Sequence, residues 1–430
     1  MQYIKNKLFK FSIAVVCILF LLCTSLSVSS QNFNYSASLE TVSYSSAHMI
    51  SMLYDGTDDT IPTSNQWNAD GNVYPMAIRS GSQLSASATI QFNCLHIPEY
   101  IFIKGNADDA IIFPPKKCML VSGTTGLYMY PKTLGAGIIQ DTTVRFLEDY
   151  TSTWEVSIDS ANWTSAGNAS NLLMVTLNTP ITIGTGYYYD HELYYSLFYI
   201  GCKNADGANT NEEMIAAIWE DFTDLVVLKP DGDPLLYYGP VGLCTDLGTF
   251  LTTGNGYCTI FANFFLSLLK VQGFTEANNS ITFWVSQTTD CGTMNMFLVK
   301  NWNFNTPQNL CDDLPYISTP FYYYDADDAT DLLGVAGQSN ANPPGWFGSH
   351  SIIEVNGVIY DPSYGVTYSN IDALEDEVMD GFGYYQYNSE SALGYDVDGD
   401  GVIEAGTYYT FMQLTNDMDK ANVTYYYYTY

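Results

Sequence analysis

The chain has 430 residues, with 46 acidic and 14 basic side chains and a formal net charge of −32. An apolar content of 47% excludes an intrinsically disordered chain despite this charge. A surface so poor in Lys and Arg is not expected to bind nucleic acid or anionic membranes, so we predict no nucleic-acid partner. The acidic excess favours cationic partners, or Ca²⁺ held by clustered Asp.

Residues 1–30 have the pattern of a signal peptide. Lysines lie within the first ten residues, an apolar stretch runs from Phe11 to Cys23, and residues 28–30 are small enough for cleavage before Gln31. The apolar run is too short to span a bilayer comfortably, and no second run of about 18 apolar residues follows. We therefore predict a secreted protein, extracellular, periplasmic or at the cell surface, without an integral membrane anchor.

Residues 31–204 are predicted to form an all-β, sandwich-like domain. Short apolar or alternating segments, separated by Gly, Asn, Ser and Pro, are typical of strands in a sandwich or barrel. These segments cover residues 88–92, 100–104, 111–113, 153–158 and 172–177.

Residues 205–430 are predicted to form an α+β domain with C-terminal strands. Thr210 or Asn211 caps a helix with a single apolar stripe, and a second helix begins at Cys258 and ends at Gly273. Strands are predicted at residues 235–238, 281–286 and 296–300, followed by a β-hairpin over residues 349–361.

Cys258 lies where the Gly-rich segment 254–257 enters the second predicted helix. Unpaired N–H groups and the positive end of the helix dipole favour a thiolate in this first turn. A thiolate in such a position is a nucleophile that needs a base. A lone cysteine is more often simply buried or disulfide-bonded, and both interpretations stay open at this point.

The predicted hairpin brings a histidine and an aspartate together. Asn356-Gly357 is a strong signal for a two-residue type I′ turn. If Val355 pairs with Val358, His350 and Asp361 project from the same face as diagonal neighbours. The carboxylate would then fix the imidazole tautomer, and the imidazole would exchange a proton with a thiolate. A surface histidine beside a turn-forming Asp-Pro is the alternative.

Two segments together resemble the transglutaminase-like superfamily. Residues 254–274, GNGYCTIFANFFLSLLKVQGF, are similar to its nucleophile helix, in which Gly-x-Cys is followed by Ala four residues after the cysteine. Residues 349–365, SHSIIEVNGVIYDPSYG, are similar to its histidine strand and the following Tyr-Asp-Pro. The resemblance covers about residues 205–370 and implies a papain-like thiol fold.

The resemblance implies that Cys258 is the nucleophile, His350 the base and acid, and Asp361 the residue that orients His350. It implies acyl chemistry on amide bonds of a protein or peptide substrate, either hydrolysis or transfer to an amine, with no cofactor. The oxyanion would be held by the Cys258 backbone N–H and a nearby side chain, for which Tyr257 and Asn255 are candidates. Animal transglutaminases instead have Gln before the cysteine and Trp after it.

Trp346, shortly before His350, is predicted to form a wall of the active-site groove. Seven cysteines follow residue 30, so with Cys258 free the other six can form three disulfides. Pairing of sequence neighbours would give Cys94–Cys118, Cys202–Cys244 and Cys291–Cys311.

An acidic segment resembles an EF-hand-type calcium loop, with oxygen ligands at alternate positions and Gly at position six. Thr407 replaces the bidentate Glu of the twelfth position, which weakens calcium binding. A structural calcium ion and a solvated acidic turn are both consistent with this pattern. The predicted ligands are Asp396, Asp398, Asp400, Val402 and Glu404.

The sequence therefore predicts an α+β protein in which a papain-like or transglutaminase-like domain follows an all-β sandwich-like domain. Its predicted activity is that of a peptidase, an amidase or a protein-glutamine acyltransferase using a Cys-His-Asp triad. The alternative is a non-catalytic surface adhesion or scaffold protein, or a carbohydrate-binding protein, that retains the fold. The oligomeric state is left open.

Overall fold

A computed structural model describes part of the chain. It covers residues 35–62, 66–94, 98–108, 111–122, 127–129, 136–138, 142–182, 192–239, 244, 246–276, 278–285, 287–289, 292–294, 296–299, 321–325, 336–341, 343, 346–388, 406–413 and 423–429. The predicted signal peptide and the predicted calcium loop lie outside these residues.

Strands dominate the described residues, and helices lie in the second half of the chain, which confirms the α+β class. The helices are α1 Tyr195–Asn204, α2 Asn211–Thr223, α3 Leu247–Thr253, α4 Cys258–Val271 and α5 Ile371–Val378. Within the described ranges, no helix is long and apolar enough to cross a membrane.

The strands before α1 are β1 Tyr35–Ser45, β2 Met49–Ile50, β3 Trp67–Asn68, β4 Met76–Arg79, β5 Gln83–Cys94, β6 Tyr100–Ala107, β7 Ile111–Ser122, β8 Leu127–Met129, β9 Ala136–Ile138, β10 Arg145–Ser157 and β11 Thr164–Thr176. The later strands are β12 Leu236–Tyr237, β13 Asn255–Gly256, β14 Asn278–Val285, β15 Gln287–Thr289, β16 Gly292–Met294, β17 Met296–Val299, β18 Phe321–Asp325, β19 Trp346–Phe347, β20 Ser349–Val355, β21 Val358–Asp361, β22 Val366–Tyr368, β23 Met379–Asn388, β24 Gly406–Gln413 and β25 Val423–Thr429.

The strands before α1 form one sheet, in the order β2-β4-β11-β10-β6-β7-β8-β5-β1-β3, with β9 beside β5. All neighbours described are antiparallel except β4 and β11. Alternate residues of β5 are buried, which is the period of a strand with one face on a core. The sheet folds back so that β1 packs against β11, and Phe113 and Trp154 stack in the enclosed core.

Helix α4 is the centre of the second hydrophobic core. All of its residues except Thr259 are buried, including the polar Asn263, Ser267 and Lys270, because other elements surround the mostly apolar helix. It packs against α1, α2, α3 and β20. Helix α1 lies in the segment predicted to be β-rich, yet its buried face belongs to this second core together with α4.

A five-stranded antiparallel sheet lies beside α4 and carries the predicted hairpin. Its order is β22-β21-β20-β14-β25. Val355 pairs with Val358 and Ile353 with Tyr360, so the predicted register is confirmed. Asn356 has φ 51° and Gly357 φ 81°, the left-handed pair that a type I′ turn requires. A separate sheet has the order β18-β24-β23-β17-β19.

Two of the expected disulfides, Cys94–Cys118 and Cys202–Cys244, are absent, because no sulfur–sulfur bond joins these cysteines. Cys202 and Cys244 instead contact different polar side chains. Gln272 Nε2 donates to Cys202 Sγ over 3.3 Å, whereas Cys244 Sγ lies 2.9 Å from Thr253 Oγ1. Pairing by sequence neighbourhood was therefore wrong for these four residues. Cys291 and Cys311 lie outside the described residues.

Candidate active site

The backbone of β13 and the start of α4 determine where Cys258 lies. β13 pairs in parallel with β12, so the chain enters the helix from a fixed strand. Tyr257 is the N-cap residue, with an extended backbone and no side-chain capping bond, and Cys258 is the first helical residue. Cys258 Sγ lies 3.9 Å from the Ser349 carbonyl oxygen, and its residue is 3% exposed. The thiol therefore lies at the positive end of a buried helix.

His350 and Asp361 form a buried pair at the base of the hairpin. His350 Nε2 lies 2.9 Å from Asp361 Oδ2, and both residues are fully buried. The Ser363 N–H donates to Asp361 Oδ1 over 3.2 Å, which holds the carboxylate in its orientation. The predicted contact between diagonal neighbours is therefore present.

The helix and the hairpin are joined beside these residues by hydroxyl groups. Ser351 Oγ lies 3.0 Å from Thr259 Oγ1 and 2.9 Å from Thr282 Oγ1. Because Thr259 follows Cys258 and Ser351 follows His350, these bonds couple the position of the thiol to that of the imidazole. The Cys258 side chain also contributes to the raised pKa of His350, so the two groups lie within electrostatic range of each other.

Aromatic rings enclose the His350 imidazole. The ring centroids of Phe283 and Phe347 each lie 5.7 Å from that of His350, and the centroid of Tyr364 lies 5.8 Å away. Phe283 also pairs with His350 across strands β14 and β20. This enclosure excludes water and strengthens the interaction between the imidazole and the carboxylate.

The charge environment favours an imidazolium. Burial lowers the pKa of His350, but the negative charge of Asp361, its hydrogen bond and the hydrogen bond with Cys258 raise it. The net effect raises the pKa of His350 from 6.5 to about 10. His350 is therefore expected to carry a positive charge near the helix start at which Cys258 lies.

The other predicted site residues have different surroundings. Tyr257 is partly buried, and its ring centroid lies 6.4 Å from that of Tyr238. The side chain of Asn255 is bonded to the backbone of Gly239, so its amide is not directed at the thiol as an oxyanion donor. Trp346 lies in β19, opposite Leu298, and its side chain is outside the described part of the structure. Its neighbour Phe347 is one of the described residues that line the site.

Three tyrosines near Cys258 were missed by the sequence analysis. Burial raises the pKa of Tyr237 well above its ordinary value of 10.0, and charge on Tyr364 and Cys258 raises it further. Burial likewise raises the pKa of Tyr238 and of Tyr364, and Cys258 contributes in both cases. Tyr364 lies three residues after Asp361, in the segment with the family resemblance, and this is the one sequence signal that pointed to it.

The predicted calcium ligands Asp396, Asp398, Asp400, Val402 and Glu404 lie outside the described residues. In the part of the chain that is described, no group of three or more His, Cys, Asp or Glu side chains could hold a metal ion.

The arrangement can support thiol chemistry, because a buried thiol at a helix start lies beside an imidazole that is hydrogen-bonded to a carboxylate. No protein-family model matches the chain, and no curated protein matches it.

Proposed function

We propose that this chain is a secreted, cysteine-dependent enzyme of the transglutaminase-like superfamily, with a papain-like arrangement of its thiol domain. It acts on amide bonds of a protein or peptide substrate and needs no cofactor for catalysis. The observation that carries the proposal is the 2.9 Å hydrogen bond between buried His350 and Asp361, with Cys258 at the start of the helix that packs against the His350 strand.

In the resting enzyme the proton of Cys258 already lies on His350, and Asp361 stabilises the resulting imidazolium beside the thiolate. The thiolate attacks the carbonyl carbon of the amide, so that a C–S bond forms. The C–N bond then breaks, and His350 returns its proton to the leaving amine. Water or a second amine next attacks the thioester, which gives hydrolysis or acyl transfer.

Alkylation of Cys258 tests whether the thiol is activated. The rate of reaction with iodoacetamide would be measured against pH by peptide mass spectrometry, in the wild type and in His350→Ala. Cys244 is an internal control, because it is 4% exposed, against 3% for Cys258. We expect Cys258 to react well below the free-thiol pKa of about 8.5 and the His350 variant to react more slowly. Cys244 should not react well below a pH of about 8.5, and its rate should not change in the His350 variant.

The proposal fails if Cys258 reacts only above a pH of about 8.5 regardless of His350, or is found in a disulfide. If the thiol is activated, hydrolysis and transfer can be separated with a glutamine-containing peptide and a fluorescent primary amine. Amine incorporation indicates a transferase, whereas release of acid with no incorporation indicates a hydrolase.

A second candidate function rests on the near-complete burial of Cys258. A thiol that is 3% exposed, with a histidine and an aspartate that are fully buried, is also compatible with a non-catalytic binding protein that retains the fold. Such a protein would bind its partner or glycan equally well after Cys258→Ala. The alkylation experiment distinguishes the two candidates, because only the enzyme requires an activated thiol.

A further inference from the structure

Tyr238 has a backbone conformation that tyrosine rarely adopts. It lies just after β12, and its φ of 52° falls in the left-handed region. Its N–H donates to the Gly256 carbonyl over 2.9 Å, two residues before Cys258. Unfavourable backbone conformations persist only where surrounding contacts hold them, and they are common at functional sites.

Two asparagine side chains hold the backbone around Tyr238. Asn340 Nδ2 donates to the carbonyl oxygens of Tyr237 over 2.8 Å and of Tyr238 over 3.1 Å. Asn255 Oδ1 accepts from the Gly239 N–H over 2.7 Å, and Asn255 Nδ2 donates to the Gly239 carbonyl over 3.2 Å. A Cβ on Gly239 would lie 2.9 Å from Asn255 Oδ1, so a side chain at residue 239 would crowd this bond.

The Tyr238 ring lies among the aromatic rings near the site. Its centroid lies 5.6 Å from that of Phe347, which itself contacts the His350 ring. Burial is the main cause of the raised pKa of Tyr238, and the charge of Cys258 raises it further. The phenol therefore stays protonated and can donate a hydrogen bond, and it lies within electrostatic range of the thiol. Tyr237 is fully buried and Tyr364 is 4% exposed, whereas Tyr238 is partly exposed. Of these three phenols, Tyr238 is the one that a substrate can reach.

We propose that Tyr238 is a catalytic residue whose hydroxyl donates a hydrogen bond to the substrate carbonyl oxygen, and that Asn255 and Asn340 are positioning residues that hold it there. This inference rests on the proposed function. When the thiolate attacks, the C–S bond forms and the carbonyl π electrons move to oxygen. Tyr238 stabilises that oxyanion without giving up its proton, and the electrons return when the C–N bond breaks.

Two reagents separate this role from a structural one. 4-Nitrophenyl acetate acylates a thiolate through a tetrahedral oxyanion, whereas iodoacetamide alkylates it by displacement of iodide and places no charge on oxygen. We expect Tyr238→Phe to slow acylation of Cys258 by about 10²-fold. The same variant should leave the rate of alkylation by iodoacetamide within about twofold of the wild type. Tyr195→Phe, at a partly buried tyrosine of α1, is the matched control and should change neither rate.

The positioning role is tested by combining variants. Asn340→Ala and Asn255→Ala should each slow acylation, but neither should slow it further in the Tyr238→Phe background. Fully additive losses would show that the asparagines do not act through Tyr238. Circular dichroism and the iodoacetamide rate verify that each variant is folded.

Three results would overturn the assignment of Tyr238. One is an acylation rate in Tyr238→Phe within twofold of the wild type, and another is an equal loss with both reagents, which indicates a structural role. The third is a slower acylation of Cys258 in Tyr257→Phe together with an unchanged acylation rate in Tyr238→Phe. Failure of the proposed function looks different, because the wild type itself would then react slowly with both reagents at neutral pH.

Discussion

The negative charge of Asp361 favours the protonated form of His350. Asp361→Asn removes this charge with little change in the shape of the side chain. The variant keeps an oxygen that can accept from the Ser363 N–H, as Asp361 Oδ1 does. It loses the negative charge that raises the pKa of His350 to about 10. Burial, the largest influence on this group, lowers the pKa and would then be opposed by Cys258 alone.

The magnitude follows from the difference between the ordinary pKa of 6.5 and the value of about 10 in the folded protein. At about 1.4 kcal/mol for each pH unit, that difference corresponds to about 5 kcal/mol in favour of the imidazolium. In Asp361→Asn this preference disappears, and burial should bring the pKa of His350 below 6.5.

Nuclear magnetic resonance of protein labelled with ¹³C in the histidine rings measures this pKa directly. The chain has four histidines, so the His350 signal can be assigned from its loss in His350→Gln. We expect His350 to stay protonated through neutral pH in the wild type and to be neutral there in Asp361→Asn. The exposed Asp372→Asn serves as the control.

The same pair predicts how stability depends on pH. The folded pKa of His350 lies above the unfolded value, so its contribution is complete below pH 6.5 and is lost as pH rises toward about 10. The difference in free energy of unfolding between the wild type and Asp361→Asn should therefore shrink over that interval in urea titrations. A wild-type His350 that titrates near 6.5, or a stability difference that grows with pH, would refute the reasoning.

Three further predictions concern the scaffold. Gly273→Ala should destabilise the protein by more than about 2 kcal/mol in urea unfolding, because a left-handed backbone is costly for alanine and the new Cβ would also clash. That Cβ would lie 2.6 Å from the Thr179 carbonyl, whereas Gly207→Ala, also at positive φ but with no atom within 4 Å, should cost less. Thr210→Ala should cost about 1 kcal/mol through loss of the helix cap, and an unchanged midpoint would contradict this. Cys202 and Cys244 should both react with N-ethylmaleimide in denaturant without a reductant, and resistance of either would show that it is in a disulfide.

Local chemistry explains which elements were predictable from the sequence. Thr210 caps α2 by accepting from the Glu213 N–H, and Gly273 ends α4 with φ 75°. The hairpin has the expected register, because the Asn356-Gly357 turn alone determines which residues pair. Each of these features depends on residues that are close in sequence.

Elements that depend on distant contacts were not predicted. Helix α1 is rich in aromatic and β-favouring residues, and its buried face is stabilised by packing against α4. Helix α3 has only seven residues, and its Asp246 cap is a weak signal by itself. The pairing of β25 with β14 joins segments far apart in the chain, which strand patterns cannot specify.

The candidate site divides in the same way. Cys258 at a helix start and the His350–Asp361 pair could be proposed from the sequence, because a helix cap and a two-residue turn are short-range structures. The surroundings of that pair could not be proposed. Asn255, a candidate oxyanion donor by sequence, instead bonds to the backbone of Gly239, and that contact exists only because β12 and β13 pair.

The sequence by itself determined the α+β class, the helix that carries Cys258 and the hairpin register that joins His350 to Asp361. Only the tertiary structure decided that the helix start meets the hairpin, that aromatic rings enclose the imidazole and that the Tyr238 N–H bonds to Gly256, two residues before Cys258. The physical reason is the separation along the chain of the residues that interact. Caps and tight turns are set by bonds within a few residues, whereas burial, the perturbed pKa of His350 and the approach of separate strands are properties of the folded whole.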